Sequence, residues 1–235
     1  MAIALIDADL LVYRVGFTTE EVDEAIARWR MDEVIHESIL KPLNAERYKC
    51  YITSSDHSNF RFQLFAQYKG NRVAPKPRHY EALRDHLRLA HEAEVVFGEE
   101  ADDRLGIDAA KDPDNIICSI DKDLKQIPGR HFNFVKGELF EVSAFDGMRF
   151  FYIQLLTGDK PVDNIEGIHG IGPKKAEKIL AGLETEQQMY DAVLEAYKKH
   201  YPSDYLERML LAGRLLKIRT KEGEIWQLRE SISQA

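Results

Sequence analysis

The sequence predicts an α/β protein: a parallel-sheet core over residues 1–142, then a helical subdomain over residues 143–235. Three observations predict it. Through the first two thirds, short runs rich in Ile, Val, Tyr and Phe alternate with stretches of helical periodicity, the rhythm of a parallel sheet with crossover helices. From Ser143 onward the pattern becomes helical, broken by a Gly-rich stretch from Gly158 to Gly172. A chain of 235 residues with 44% hydrophobic and 31% charged side chains suits one domain with a subdomain, and excludes a disordered or disulfide-stapled class.

The elements follow in order. Ile3 to Ile6 read as a buried first strand; lacking a basic flank and running straight into Asp7 and Asp9, they are not expected to be a signal peptide. Arg47 to Thr53, Ala93 to Phe97 and Asn115 to Ile120 supply three more strands. Thr18 and Glu21 are spaced as a capping box, which predicts a helix from there to about Leu40. Tyr80, Leu83, Leu87 and Ala90 recur at helical spacing, and residues 102–111 make a third helix. Phe132 to Val142 read as a hairpin turning at Lys136-Gly137 that extends the sheet. Two long helices are expected near 186–199 and 203–219, with fraying from Ser231 to Ala235.

Composition bounds the partners. With 32 basic and 40 acidic residues the net charge is −8, so DNA held by global charge alone is excluded while a local basic surface is not. No run approaches the roughly 18 apolar residues of a membrane-spanning helix, so no membrane partner is expected. Cys50 and Cys118 lack the spacing of a zinc site or a disulfide framework, which fits a reducing cytoplasm.

In an open α/β sheet, ligands bind beyond the carboxyl ends of the strands. Those positions are acidic here each time: Asp7 after the first strand, Asp56 after the second, Glu99, Glu100, Asp102 and Asp103 after the third, Asp121 and Asp123 after the fourth. Gathered at one rim, such carboxylates repel by roughly 4 kcal/mol per pair about 4 Å apart at an effective dielectric of 20. A hard divalent cation with oxygen ligands, Mg²⁺ or Mn²⁺, is the guest this donor set predicts. Zinc is disfavoured, because the eight His are scattered and read as surface or packing residues.

Two further motifs are basic. Gly167, Gly170 and Gly172 precede Pro173, with Lys174, Lys175 and Lys178 following and Gly182 beyond, the pattern of a helix-hairpin-helix whose N–H groups and lysines hold a DNA phosphate. Tyr68-Lys69-Gly70-Asn71-Arg72, with Lys76, Arg78, Arg84, Arg88 and His91 after it, is a basic stretch in an acidic chain. Lys69 and Arg72 are the favoured site residues there; Arg88 and His91 serve equally well as a solvated helix face.

The order Asp7-Ala-Asp9, Tyr68 to Arg72, Glu100-Ala-Asp-Asp103, Ser119-Ile-Asp-Lys-Asp123, Thr157-Gly-Asp159 and Gly170 to Lys174 resembles the 5′-nuclease (flap endonuclease) family, including bacteriophage 5′–3′ exonucleases and the 5′-nuclease domain of bacterial DNA polymerase I. The resemblance implies a PIN-like nuclease core and a helical subdomain with an H3TH-like hairpin. It implies two Mg²⁺ or Mn²⁺ ions, the first held by Asp7, Asp56 and Asp102, the second by Asp121, Asp123 and Asp159, with Glu100 and Asp103 between or behind and Asp163 a further metal residue. Asp159 and Asp163 stand one residue further apart than the commonest family spacing. Lys69 and Arg72 would reach the scissile phosphate, Tyr13 would stack on a base, and Arg84, Gly170, Gly172, Lys174, Lys175 and Lys178 would touch DNA, with a monovalent cation at the hairpin. The implied activity is hydrolysis of DNA at or near a 5′ end, at nicks or flaps, extending to RNA–DNA hybrids and primers, by a monomer in the cytoplasm, or the host cytoplasm if phage-encoded. The alternatives are a PIN-type ribonuclease and a non-catalytic structure-specific DNA-binding module.

Overall fold

The computed structural model describes residues 2–229; the fraying expected at 231–235 lies outside them. In chain order the elements are β1 (Ala4–Asp7), α1 (Ala8–Thr18), α2 (Glu24–Glu33) running through a π-helical stretch (Val34–Leu40) into α3 (Lys41–Leu43), β2 (Tyr48–Thr53), α4 (Phe60–Leu64), α5 (Tyr80–Ala90), β3 (Glu94–Val96), α6 (Ala101–Lys111) and β4 (Ile116–Cys118). A 3-10 turn (Asp123–Gln126) leads to β5 (Gly129–Asn133) and β6 (Glu138–Val142), then α7 (Ala144–Thr157), β7 (Gly158–Asp159), α8 (Lys160–Asp163), β8 (Ile165–Glu166), α9 (Pro173–Ile179), α10 (Glu186–His200) and α11 (Tyr205–Leu216).

These elements form two units. The first takes residues up to 60, 73–144 and 218–222; the second takes 61–72, 145–217 and the chain from 223. Two short segments, 61–72 and 218–222, join the unit that is not their neighbour in sequence, an exchange that local composition does not signal.

In the first unit six strands line up as β3-β2-β1-β4-β5-β6. The first five run parallel and β6 closes the edge antiparallel to β5, so the hairpin reading holds. Alternation sorts the side chains: Ala4, Ile6, Cys50, Ile52, Ile116 and Cys118 enter one core with Leu11, Met31 and Leu83. Leu5, Tyr51 and Ile117 enter the core on the other face with Leu105 and Leu124. A strand buried on both faces reads as a continuous apolar run, which is why these strands were legible.

The capping box at Thr18 is not formed. A helix already runs from Ala8 to Thr18, and the Thr18 hydroxyl donates back to the Arg14 and Val15 carbonyls at its end. Asp7 is the true N-cap, its carboxylate accepting from the Leu10 N–H, and Asp23 precedes the second helix. The strand-to-helix turn at Asp7-Ala8 contains no Gly or Pro to mark it, so the first helix was hidden inside an apolar run.

The second unit has its own core, in which Tyr152, Leu155, Val193, Tyr197 and Met209 pack together. The α10 helix opens on a capping box in which the Thr185 Oγ1 accepts from Gln188 N–H and the Gln188 side chain accepts from Thr185 N–H. The buried Arg61 guanidinium donates to the Leu215 and Lys217 carbonyls at 2.8 and 2.9 Å, fixing the 61–72 segment to the end of α11. No helix among the described residues is long and apolar enough to cross a membrane.

Candidate active site

Strand order reverses direction between β1 and β4, the place where an open α/β sheet leaves a crevice at its carboxyl edge. Ile6 is in register with Cys118, so Asp7 and Ser119 follow side by side. The Ser119 hydroxyl donates to Asp7 Oδ2 at 2.7 Å and accepts from the Asp121 N–H at 3.0 Å; Asp121 Oδ1 in turn accepts from the Asp123 N–H at 2.8 Å. Asp7, Ser119, Asp121 and Asp123 thus form one bonded run across the crevice. Burial raises the Asp7 pKa to about 7, against the lowering bonds from Ser119 and Leu10, with Asp9 and Asp121 adding repulsion. A buried carboxyl in that position takes a proton or a cation near neutral pH.

Glu100 is buried and caps α6, and Asp102 lies half-buried in its first turn. Asp103 differs: its Oδ2 accepts from the Glu100 N–H and its Oδ1 from the Arg219 N–H, so the fully buried carboxylate holds backbone in place instead of facing the crevice. Beside it, Arg219 pairs with Glu99 at 2.8 Å. Asp56 sits on an exposed loop with its Oδ1 accepting from the Ser58 N–H, and its hydrogen bonds to Ser58 and Ser54 lower its pKa.

Arg84 is a correction. Its buried guanidinium donates to Asp9 Oδ1 at 3.1 Å and to the Thr53 carbonyl at 2.7 Å, while Asp9 Oδ2 accepts from the Thr53 N–H at 2.9 Å. The group ties α1, β2 and α5 together and is turned inward, so Arg84 does not present a DNA contact. The signal was in the sequence: Arg84 falls within the Tyr80, Leu83, Leu87 stripe. Asp9 and Ser119 carry the rim with no role read for them beforehand. Tyr13 lies 38% exposed on α1, its ring centroid 5.4 Å from that of Tyr80.

In the second unit, two motifs far apart in sequence form one. Asn71 Nδ2 donates to the Lys160 and Pro161 carbonyls, Lys69 N–H to the Asp163 carbonyl and Asn164 Nδ2 to the Gln67 carbonyl. Asp163 then receives Arg72 Nη2 at 2.5 Å and the Tyr68 hydroxyl at 3.1 Å. Both carboxylate oxygens are therefore engaged, and Asp163 anchors the basic segment. The extra residue in the Asp159 to Asp163 spacing accompanies a short helix ended by Asn164 in the left-handed region. Arg72 is correspondingly turned toward Asp163 and the Val162 carbonyl. Lys69 Nζ stands 5.0 Å over the Tyr68 ring. Asp159 is buried at the end of β7.

The hairpin follows. A Cβ at Gly167 would meet the Gly158 nitrogen at 2.3 Å, so that glycine serves the packing of β7 on β8, not an approach to DNA. Gly170 takes φ +76 with open space around it, and Gly172 precedes α9. Lys174 and Lys178 are exposed on α9, while Lys175 Nζ donates to the Gly170 carbonyl at 2.7 Å.

Fold and rim together define an α/β protein with an acidic, cation-seeking crevice at its switch point and a separate unit bearing a basic segment and a glycine-lysine hairpin. Comparisons with known proteins narrow that class. The chain is 32% identical over 145 residues to the flap endonuclease Xni of Shewanella baltica, covering 55% of each. It is 26% identical over 213 residues to a 5′-3′ exonuclease of Buchnera aphidicola, covering 81% of this chain and 74% of that one. Against DNA polymerase I of Pseudomonas aeruginosa it is 33% identical over 145 residues, covering 15% of that protein. No family model matches. A bacteriophage T5 protein co-crystallised with metal ions shares the fold at a TM-score of 0.64 and 18% identity, covering 91% of this chain and 89% of that one. The T5 flap endonuclease in a complex with DNA and metal ions gives 0.60 over 92% of this chain and 95% of that one. The proteins the chain is similar to are thus 5′-nucleases, and the solved structures that share its fold are phage T5 nucleases. It spans about half the length of the curated flap endonucleases it matches.

Proposed function

We propose that this chain is a divalent-metal-dependent 5′-nuclease, acting on DNA as a 5′–3′ exonuclease and structure-specific flap endonuclease. The observation that carries the reading is the bonded run from Asp7 through Ser119 and Asp121 to Asp123 at the switch point. Its donors are oxygens, the set that hard cations prefer, which favours Mg²⁺ or Mn²⁺, two ions in all. Bound at the rim, such ions lower the pKa of a water and neutralise the attacking and leaving oxygens of an in-line displacement. The chain's own residues do the rest. Ser119 holds Asp7 in the orientation that faces the crevice, and Tyr13 offers a ring to a base beside it. Lys69 supplies an ammonium to a phosphate, with Arg72 and Asp163 fixing the segment that carries it. Lys174 and Lys178 hold duplex phosphates, with a monovalent cation at the same hairpin. Duplex with a 5′ end, nick or flap is the proposed substrate, with RNA–DNA hybrids as an extension, for a monomer in a reducing cytoplasm; buried, unpaired Cys50 and Cys118 suit that compartment.

The test is product length. With Mg²⁺, 5′-labelled nicked, recessed and flap duplexes should yield short labelled fragments, none with EDTA, and 3′-labelled strands should shorten only from the 5′ side. Products released from 3′ ends would refute the reading.

A further inference from the structure

A second cluster lies away from the strand-end rim. Asp32, one residue before the end of α2, and His86 and His91, on α5 and at its C-cap, bring one oxygen and two nitrogens within 4.8 Å of one another. Asp32 Oδ1 sits 2.6 Å from His86 Nε2 and 2.7 Å from His91 Nε2. Among the described residues this is the group of His, Cys, Asp and Glu that converges in this way. The histidines scattered in the sequence are brought together here: the fold assembles residues 54 and 59 positions apart.

Three features go beyond an ordinary ion pair. The His91 side chain is 3% exposed, His86 14% and Asp32 39%, so the cluster is walled on the histidine side and open to solvent at the carboxylate. His91 Nδ1 lies 3.0 Å from the Tyr48 hydroxyl, the outer hydrogen bond that metal-ligating imidazoles use to fix their orientation. The π-helical stretch starts two residues after Asp32, and its first turn carries His36 to within 5.9 Å, ring to ring, of His91. Such stretches concentrate at functional sites.

We infer that Asp32, His86 and His91 form a binding site for a borderline transition cation, Zn²⁺ foremost, distinct from the carboxylate rim. Two imidazoles and one carboxylate make a donor set suited to zinc and poorly suited to Mg²⁺. Bonds of about 2.0–2.1 Å in a tetrahedron place donors roughly 3.3 Å apart, so the two contacts need open by well under 1 Å. Both rings would bind through an unprotonated Nε2: the His91 proton would move to Nδ1, where the Tyr48 oxygen accepts it, the His86 proton to its own Nδ1, and water or His36 would fill the fourth position. Tyr48 begins β2 and Thr53, beside Asp9, ends it; at about 3.3 Å per residue the cluster stands roughly 16 Å from the rim. The cation would therefore clamp α2 to α5 without entering the rim.

The experiment uses the full chain stripped with EDTA and kept in saturating Mg²⁺. Zn²⁺ at micromolar concentration should shift the ¹⁵N resonances of the His86 and His91 rings and raise Tm, and one equivalent of Co²⁺ should give the visible absorption of a nitrogen- and oxygen-bound ion. His86→Gln should weaken that equivalent at least tenfold, while Asp121→Asn should leave it intact. Ring resonances that stay still while Zn²⁺ binds elsewhere, or an unchanged equivalent in His86→Gln, would overturn the assignment. If His86→Gln fails to fold, the ring resonances of the unmutated cluster decide alone.

Discussion

The Ser119 hydroxyl stands between two acidic positions, donating to Asp7 Oδ2 at 2.7 Å while accepting from the Asp121 N–H at 3.0 Å. One small side chain thereby links the acidic residues that follow the paired strands β1 and β4. Ser119→Ala should raise the Mg²⁺ concentration needed for half-maximal cleavage by about 10- to 100-fold, the usual cost of losing an outer partner of a metal ligand. Rates measured against Mg²⁺ at saturating DNA check this; an unchanged Mg²⁺ dependence removes Ser119 from the site.

The raised pKa of Asp7, about 7, has a definite sign in stability. The folded protein binds that proton more tightly than the unfolded chain, so its contribution is full below the unfolded value near 3.8 and is lost as pH rises to about 7. In EDTA, Asp7→Asn should therefore melt above wild type at pH 8, with the gap closing toward pH 4, and saturating Mg²⁺ at pH 8 should raise the wild type more than the variant. Equal melting temperatures in EDTA at pH 8 would contradict the burial of Asp7.

Two acidic residues hold parts of the backbone and of the basic segment in place. Asp103 accepts from two backbone N–H groups, so Asp103→Ala should cost about 1–3 kcal/mol in urea unfolding for each donor left bare, with Mg²⁺ affinity of the folded protein unchanged. Asp163→Asn should retain cleavage within roughly tenfold, and a double-mutant cycle with Arg72→Ala should show coupling of about 0.5–3 kcal/mol. A loss of Mg²⁺ dependence in Asp163→Asn would return that residue to the metal.

Lys174 and Lys178 are exposed on α9. Changing both to Ala should weaken binding to all duplex sequences alike and reduce the slope of log K against log salt by about 0.9 for each phosphate no longer neutralised. Single-turnover cleavage at saturating enzyme should hold. A collapsed saturated rate with unchanged affinity would place these lysines at the cut site.

Much of this was legible in the sequence because local rules and burial agreed. β1, β2, β3 and β4 announced themselves as apolar runs ending in carboxylates, and α5 and α6 by periodicity. What stayed hidden depends on long-range pairing. Arg84 looked like a DNA contact until Asp9, 75 residues away, turned it inward. Asp163 has Arg72 for a partner, 91 residues away, which no spacing in the sequence shows. The histidines looked scattered until α2 and α5 packed together around Asp32. Charged side chains are assigned by their partners, and no local window contains the partner.

The most direct measurement is single-turnover cleavage of a 5′-labelled flap duplex by wild type and Asp121→Asn in Mg²⁺, with duplex affinity measured in Ca²⁺. The account predicts that Asp121→Asn loses several orders of magnitude in rate, of the size that removing a metal's charge from a transition state implies, and keeps its affinity for DNA. An Asp121→Asn protein cutting at near the wild-type rate would contradict the assignment of the strand-end carboxylates as the seat of the chemistry.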